Sequence, residues 1–154
     1  MSEIEIREFS AEYVDRVIAF EKRLREEEPD TYFWEPDEQY RCALEQSFHD
    51  ERFQNGISFL ALKDHQVIGR IDASLIASRC DAACRSAYLD WICVLKSERH
   101  SGIGQRLLET LRSELKSRGA ATLIALMANN DESQRFYRAL DNAEIHDEGI
   151  WIGI

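Results

Sequence analysis

The sequence has few of the features that mark special classes of protein. Only 2 of its 154 residues are proline and 7 are glycine, which excludes a low-complexity or collagen-like chain. No apolar run approaches the roughly 20 residues that a membrane-spanning helix needs. The first ten residues, MSEIEIREFS, are charged and alternate in polarity, unlike the apolar centre of a signal peptide. We therefore expect a cytoplasmic protein with no membrane partner.

Cysteine is also sparse, and its spacing matches no common metal site. The four cysteines, Cys42, Cys80, Cys84 and Cys93, lack the closely paired spacing of zinc ligands. The spacing of Cys80 and Cys84 is a weak signal, for which a structural role is the simpler explanation. Without a secretion signal, all four are expected to be reduced thiols, and no metal is expected.

Positive charge is in short supply, chiefly in the first third of the chain. The net charge is −10, and residues 1–55 hold 16 acidic and 7 basic side chains, which gives −9 there. Residues 56–154 are nearly balanced, with 13 acidic and 12 basic side chains. This distribution argues against a nucleic-acid partner. It permits a cationic substrate, although a solvated acidic surface is the simpler explanation.

The hydrophobic pattern predicts one α/β domain over residues 1–154. Apolar residues make up 44% of the chain, enough for a core at this length. Periodicity predicts the order β-α-α-β-β-β-α-β-α-β and a mixed sheet. Four helices are predicted. The first begins after Ser10 as N-cap, the second spans about 37–48, the third carries an apolar stripe from Ile103 to Leu115, and the fourth spans 131–140. The predicted strands are IEIREF, two hairpin arms around the turn KDHQ, about 87–94, ATLIALM and EGIWIGI.

A strand–glycine turn–helix unit lies within DWICVLKSERHSGIGQRLLETL, residues 90–111. The amide N–H groups at a helix N-terminus attract anions, and glycine lets the backbone approach a phosphate closely. The loop SERHSGIGQR is therefore a candidate phosphate cradle, with Arg99 and Arg106 as added charge. It is not a dinucleotide fingerprint, because Leu107 stands where the third glycine belongs, and it is not a Walker loop. A plain tight turn into a helix would also explain the glycines.

Two motifs together resemble the GNAT superfamily of N-acetyltransferases. Arg99-x-x-Gly102-x-Gly104, five residues after Val94, is similar to that family's acyl-coenzyme A signature, Gln/Arg-x-x-Gly-x-Gly/Ala. The segment NDESQRFY, which ends at Tyr137, resembles the family's Asn-x-x-Ala-x-x-Phe-Tyr. The order of elements resembles the family over nearly the whole chain.

The chain departs from the family's pattern in three places. His100 stands where the family often has glycine, and Asp141-Asn142 replaces the usual Gly-Phe after the second motif. The C-terminal end is short, so an abbreviated final hairpin is expected. The shape of the acceptor site is the feature that this last departure affects.

The resemblance implies a single-domain GNAT-like fold and acetyl-CoA as co-substrate. The expected sheet is mixed, mostly antiparallel, twisted and flanked by helices, and it splays at the strands ending near Val94 and Met127. The pantetheine arm would pair with the main chain of Ile92, Cys93 and Val94, and the Val94 N–H would point at the thioester oxygen. The pyrophosphate would be held by the loop Arg99, His100, Ser101, Gly102, Ile103, Gly104 and Gln105.

The resemblance also assigns residues to the chemistry. Tyr137 would protonate the leaving thiolate, and Asn130 and Ser133 are expected near the cofactor, since their i, i+3, i+7 spacing can place all three on one helix face. An amphipathic helix with a half-buried tyrosine is the alternative explanation. Asp90, expected on the same strand face as Ile92 and Val94, is the candidate base, directly or through water. A surface carboxylate would explain it equally, and the family does not fix the base; His100 and His146 are weaker candidates.

By resemblance, the acceptor is expected at the first two helices and the loop between them. That loop, EEEPDTYFWEPDE, combines carboxylates with aromatic rings, which suits an ammonium group, and we name Tyr32, Trp34 and Glu35 as substrate residues. Packing of the loop by Phe33 and Trp34, with the acidic side chains solvated, is an equal alternative. The predicted acceptor is the primary amine of a small cationic molecule. A protein or peptide acceptor and a non-catalytic acyl-CoA sensor stay open, and the resemblance allows a homodimer.

Overall fold

The computed structural model describes residues 3–80, 82–147 and 149–154. They form two compact units, which divide between Ile124 and Ala125. The first unit contains the whole sheet and three of the four α-helices described. Among the described residues, no helix is long and apolar enough to cross a membrane.

The sheet has five strands in sequence order. β1 pairs with β2, β2 with β3 and β3 with β4, all antiparallel, and β4 pairs with β5 in parallel. This arrangement confirms the predicted mixed, mostly antiparallel sheet. The strands are β1 Ile4–Glu8, β2 Gly56–Lys63, β3 Gln66–Leu75, β4 Ser86–Val94 and β5 Thr122–Ile124.

The first unit also has helices α1, α2 and α3. Ser10 was expected to cap the first helix, but a short 3₁₀ turn comes first, the Ser10 side chain makes no capping bond and Tyr13 is the N-cap. Asp37 caps α2 by accepting a 2.8 Å hydrogen bond from the Tyr40 N–H. The helices are α1 Val14–Glu27, α2 Glu38–Ser47 and α3 Ile103–Ser117.

The turn between β2 and β3 confirms the predicted hairpin. Lys63 pairs with Gln66, so Asp64 and His65 form a two-residue turn. Their φ angles are +50° and +64°, the left-handed conformation that a type I′ turn requires at both central residues. The polar pair therefore closes the hairpin with a twist that suits the strands, although the preferred second residue is glycine.

The two faces of the sheet contact different helices. A Cβ on Gly69 would lie 3.2 Å from the Leu107 side chain of α3, whereas Arg70, the next residue of β3, forms an ion pair with Glu21 of α1. Since neighbouring residues of a strand point to opposite faces, α3 and α1 lie on opposite sides of the sheet. We call these the α3 face and the α1 face.

The sheet opens between β4 and β5. Their parallel pairing runs only from Ser86 and Thr122 to Tyr88 and Ile124. Beyond Tyr88, no strand in the described part of the chain pairs with that edge of β4. The predicted splay is confirmed, although β5 ends at Ile124 rather than near Met127.

The second unit contains α4, Asp131–Arg138, which is two residues shorter than predicted. The predicted last strand, EGIWIGI, is wrong for residues 149–154, which adopt no regular structure, and Glu148 lies outside the described residues. A strand requires a partner to satisfy its backbone, and the described part of this unit contains no other strand. That the chain is a single domain stays a prediction.

Candidate active site

A β-bulge interrupts β4 at the predicted base. Asp72 of β3 pairs with Trp91, and the next residue, Ala73, pairs with Leu89. Asp90 is therefore the extra residue of the bulge. A bulge bends the strand and redirects a side chain, and it does so here near the start of the edge that β5 leaves unpaired.

The bulge places the Asp90 side chain on the α1 face. Its carboxylate accepts a 2.6 Å hydrogen bond from Ser74 Oγ, and Ser74 lies on the same face of β3 as Arg70. Ile92 and Val94 pair with residues of β3 that point to the α3 face. The prediction that Asp90 shares a face with Ile92 and Val94 is therefore wrong, because the extra residue breaks the alternation.

The surroundings of Asp90 make its carboxylate more basic. Partial burial raises its pKa above the usual value, the nearby charge of Asp72 acts in the same direction, and the Ser74 hydrogen bond opposes both. A carboxylate with a raised pKa accepts a proton more effectively near neutral pH. Its residue as a whole is still exposed, so a substrate can reach it.

The main chain of Ile92 and Val94 is directed towards the open edge of β4. The Leu95 N–H donates a 3.0 Å hydrogen bond to Ile68 O on β3. Because amide groups alternate in direction along an antiparallel strand, Cys93 also faces β3, and the residues on either side of it face away. Two of the three predicted pantetheine contacts thus have main-chain groups on the unpaired edge. The Cys93 backbone pairs with Arg70 instead.

The glycine loop leads directly into α3 and presents its first amides. Gly102 is the N-cap, with a φ of +78°. Within the described residues, no acceptor bonds to the N–H groups of Ile103, Gly104 or Gln105, whereas the Arg106 N–H donates to Gly102 O at 3.0 Å. Three free amides and the positive end of a helix dipole suit a phosphate, so the loop fits the cofactor that the motif implies.

The side chains of the loop have separate structural tasks. Ile103 is buried and anchors the start of α3, whereas His100, Ser101 and Gln105 are exposed. Ser101 Oγ donates to Glu98 O at 2.6 Å. His100 has a φ of +65°, a conformation that glycine adopts at lower cost. The family's frequent glycine at this position therefore matches the backbone observed here.

The two arginines expected to add charge to the loop are engaged elsewhere. Arg99 Nε donates to Val94 O at 2.9 Å, and its guanidinium forms an ion pair with Glu28 at 2.5 Å. Arg106 donates to Ile4 O at 2.8 Å. Arg99 thus supports the backbone of the loop rather than projecting into it.

A buried polar network on the α1 face was missed by the sequence analysis. Glu21 is completely buried and accepts hydrogen bonds from Trp34 Nε1 at 2.9 Å, Tyr40 OH at 3.1 Å and Arg70 at 2.9 Å. Arg70 also donates to Asp72 Oδ1 at 3.0 Å. Its Nε lies 2.7 Å from Asp72 Oδ2 but without hydrogen-bond geometry, so that contact is electrostatic only.

The ionisation of this network follows from its burial. Burial raises the pKa of Glu21, and its three hydrogen-bond donors offset only part of that shift. Burial also raises the pKa of Tyr40, to about 12, assisted by the Glu21 charge. Burial alone would lower the pKa of Arg70, but Asp72 and Glu21 outweigh it and raise that pKa. Arg70 therefore stays charged, and Tyr40 remains a hydrogen-bond donor.

A sequence signal for the network existed. Glu21 falls in the apolar stripe of α1, with Val14, Val17 and Leu24 at helical spacing around it. A charged residue at such a position must be paired when it is buried.

The predicted substrate residues form part of an aromatic cluster. Trp34 makes edge contacts with Tyr32 and Trp91, at centroid distances of 5.4 and 5.6 Å. Tyr32 is only 9% exposed, and the Glu35 carboxylate forms a 2.5 Å ion pair with Arg25. Trp34 therefore packs the loop, as the alternative explanation had it, but its partner there is Tyr32 rather than Phe33.

One ring of this cluster, that of Trp91, already contacts a cation of the protein itself. The guanidinium of Arg70 lies 5.6 Å from the centroid of Trp91 and 4.9 Å from that of Phe9. Phe33, by contrast, is 81% exposed. The acidic surplus nearby is also partly neutralised, since Arg41 pairs with Asp15 at 2.9 Å and with Glu45 at 3.1 Å. Net charge alone is therefore a weak argument for a cationic acceptor.

The second motif lies in the second unit. Asn130 is the N-cap of α4, and its side chain accepts a 2.8 Å hydrogen bond from the Ser133 N–H. Tyr137 is half-buried and makes an edge contact with Phe136 at 5.2 Å. Asn130 thus begins the helix, and the functional roles of Asn130, Ser133 and Tyr137 stay predictions.

The cysteines and acidic side chains that the structure describes offer no metal site. All four cysteines are free thiols, and burial raises the pKa of the Cys93 thiol well above its usual value. In residues 3–80, 82–147 and 149–154, no group of three or more histidine, cysteine or acidic side chains is arranged to hold a metal ion.

Comparison with known proteins identifies the family. The model of the acetyltransferase (GNAT) family matches residues 17–141, most of the chain. The chain therefore belongs to the GNAT acetyltransferases. It is an N-acetyltransferase that uses acetyl-CoA as co-substrate. No curated protein sequence matches it significantly.

Several solved structures share the fold at low sequence identity. An aminoglycoside acetyltransferase, meta-AAC0020 from an uncultured soil metagenomic sample, in complex with sisomicin, has a TM-score of 0.79 at 16% identity over 98% of this chain and 96% of that one. AAC(6')-Iy in complex with the bisubstrate analogue CoA-S-monomethyl-acetylneamine has a TM-score of 0.75 at 19% identity over 99% of each chain. A ribosomal-protein-alanine N-acetyltransferase from Brucella melitensis biovar Abortus 2308 has a TM-score of 0.70 at 14% identity over 98% of this chain and all of the other.

Proposed function

We propose that this chain transfers the acetyl group of acetyl-CoA to the primary amine of a small cationic molecule, by direct attack. The observation that carries the proposal is the carboxylate of Asp90, an exposed residue that the bulge directs to the α1 face beside Trp91. Carboxylates and aromatic rings together favour an ammonium group over a neutral or anionic acceptor. The structural similarity to aminoglycoside acetyltransferases also favours a small cationic amine as the acceptor.

The proposed chemistry divides between the two motifs and the bulge. When bound, acetyl-CoA supplies an acetyl group activated as a thioester. The free amides of Ile103, Gly104 and Gln105 bind its pyrophosphate, and the unpaired edge of β4 binds the pantetheine arm. This arrangement holds the acetyl group in place for attack.

Proton transfer is assigned to two side chains. As the C–N bond forms and the C–S bond breaks, the amine loses one proton and the leaving sulfur gains one. We assign the first proton to Asp90, directly or through water, because its pKa is raised. We assign the second to the hydroxyl of Tyr137, on the basis of its place in the second motif.

A peptide amine is the second candidate acceptor. The fold similarity to a ribosomal-protein-alanine N-acetyltransferase favours it. The exposed ring of Phe33, next to the aromatic cluster, would suit contact with a larger partner. The two candidates predict different preferences on one panel of acceptors.

The test is thiol release from acetyl-CoA with polyamines, aminoglycosides, amino acids and short basic peptides. We expect release with a polyamine or an aminoglycoside. Release with peptides alone would replace the small-molecule acceptor with a peptide. Binding of CoA by calorimetry without release on any acceptor would contradict the proposed acceptor classes while leaving the cofactor loop intact.

Tyr137→Phe separates the proton donor from the binding site on the same assay. We expect turnover to fall about 100-fold, the lower range for loss of a general acid, with little change in CoA affinity. Tyr13→Phe is a matched control. It removes the same hydroxyl from the N-cap residue of α1, whose side chain makes no capping hydrogen bond and has no proposed role in catalysis. Full turnover by Tyr137→Phe would remove that residue from the mechanism.

A further inference from the structure

One residue connects the glycine loop, the end of β4 and the loop between α1 and α2, residues 28–37, which we call the aromatic loop. Glu28 follows α1 as its C-cap and begins the segment that leads to Tyr32 and Trp34. Its backbone carbonyl accepts hydrogen bonds from the Thr31 N–H at 3.0 Å and the Tyr32 N–H at 3.1 Å. These bonds fix the turn that inserts the Tyr32 ring into the core.

The carboxylate of the same residue holds the glycine loop. It accepts from Arg99 at 3.0 and 2.5 Å in a two-point ion pair, and both side chains are only 15% exposed. Such a paired geometry fixes orientation as well as distance. Arg99 Nε in turn donates to Val94 O at 2.9 Å, on the unpaired edge of β4.

A second, parallel connection lies one residue earlier. The Glu27 carboxylate accepts from Ser97 Oγ at 2.8 Å and from the Ser97 N–H at 3.2 Å. Although burial alone would raise the pKa of Glu27, the hydrogen bonds from Ser97 and Lys96 outweigh it and lower that pKa. The end of α1 is thus attached to the glycine loop at two consecutive residues.

We propose that Glu28 is a positioning residue that couples the glycine loop to the aromatic loop. Through Arg99, a ligand that fixes the glycine loop also fixes the turn at Glu28, and so orders Tyr32 and Trp34 at the acceptor side. The proposal rests on the proposed cofactor site. It deepens that site by stating how CoA prepares the acceptor loop. Coupling of this kind requires that one element respond to ligands at both sites.

Trp34 fluorescence reports the coupling without any acceptor. The chain has three tryptophans, so Trp91→Phe with Trp151→Phe leaves Trp34 as the single reporter. In this parent, saturation with CoA is expected to lower the acrylamide quenching constant of Trp34 by about twofold. In the Glu28→Gln variant of the parent, which keeps the backbone turn and removes the charge, that response is expected to fall to less than half.

Glu26→Gln is the matched control. Glu26 lies in the last turn of α1, two residues before Glu28, carries the same charge and is exposed. It should keep the full Trp34 response. Since a purely structural role for Glu28 would lower stability but leave the response of the folded protein unchanged, the response distinguishes positioning from stability. If Glu28→Gln does not fold, Arg99→Lys keeps the positive charge, loses the two-point geometry and is expected to weaken the response in the same way.

Calorimetry with CoA separates the two possible failures. If CoA binds the parent and Trp34 responds equally in Glu28→Gln and Glu26→Gln, the coupling is wrong and the cofactor site stands. If CoA binds the parent but Trp34 does not respond at all, the coupling is likewise wrong. If CoA does not bind the parent, the cofactor site is wrong and the coupling with it.

Discussion

The α3 face and the α1 face of the sheet are packed with different chemistry. On the α3 face, Leu107 and Leu111 are fully buried against an apolar surface that includes Ile71. On the α1 face, a fully buried carboxylate, Glu21, meets the guanidinium of Arg70. The hydrophobic contacts stabilise without direction, whereas each hydrogen bond of the polar network requires one particular geometry.

The difference indicates why the candidate acceptor residues lie on the α1 face. Burying an ion pair contributes little net stability, because desolvation offsets much of the attraction. The network does fix positions: through Glu21 it attaches Trp34 of the aromatic loop and Tyr40 of α2 to Arg70 of the sheet. We infer that the α3 face stabilises the fold and that the α1 face orients the groups near Asp90.

The largest expected effect on stability belongs to the α3 face. Leu111→Ala removes a fully buried side chain and should lower the free energy of unfolding by about 2–5 kcal/mol. Thiol release per folded molecule should not change, because the cavity that the substitution creates lies on the α3 face, away from Asp90. Urea unfolding and the acetyl-CoA assay check both parts. A loss of turnover in the folded variant would break the distinction between the two faces.

Asp90→Asn reverses that pattern. We expect kcat/KM to fall about 100-fold and the free energy of unfolding to change by less than about 0.5 kcal/mol. Because the Asp90 pKa is raised, the acidic limb of the wild-type kcat/KM profile should lie above the ordinary range for aspartate. That limb should be absent from the residual activity of the variant. If the Asp90→Asn variant keeps the wild-type rate and the wild-type pH profile of kcat/KM, another group accepts the proton.

Glu21→Gln tests whether the network orients more than it stabilises. The change keeps the shape but leaves donors imperfectly paired, so a loss of about 1–3 kcal/mol is expected. The folded state raises the pKa of Glu21 and therefore binds more protons than the unfolded state above about pH 4.5. Wild-type stability should fall as pH rises through that window, and the deficit of the variant should shrink.

Denaturant unfolding at several pH values measures that deficit. A deficit that grows with pH would show that the attraction of Arg70 for the ionised carboxylate outweighs the cost of burying it. The KM for the amine should rise in the variant, since the aromatic loop loses a fixed contact at Trp34. An unchanged KM would remove the orienting role of the network.

The parts of the site that depend on local sequence could be predicted. The glycine loop follows from a strand end, two glycines and a helix start, all within residues 94–105, and Gly102 does adopt the left-handed conformation. The hairpin at Asp64 and His65 is equally local. The family resemblance supplied the mostly antiparallel pairing and the splay of the sheet, which periodicity alone does not fix.

The parts that depend on distant partners could not be predicted in the same way. Glu21 binds residues 13, 19 and 49 positions away, and no spacing rule connects them. The face of Asp90 was predicted from strict alternation, but the bulge opposite residues 72 and 73 is set by strand pairing. The last strand was predicted from apolar content, which does not provide a partner to pair with.

The smallest expected effect concerns strain in the cofactor loop. His100 and His65 both have positive φ, at +65° and +64°. Replacing either with glycine relieves about 1–2 kcal/mol of backbone strain. The greater freedom of glycine in the unfolded chain partly offsets this, so the free energy of unfolding of each variant should rise by about 0.5–1 kcal/mol. His65→Gly is the matched control in the β2–β3 turn and should leave the CoA affinity unchanged. Calorimetry with CoA measures the affinity of both variants. If His100→Gly also leaves the affinity unchanged, His100 only limits the stability of the loop. A weaker affinity would show that the His100 side chain contributes to CoA binding.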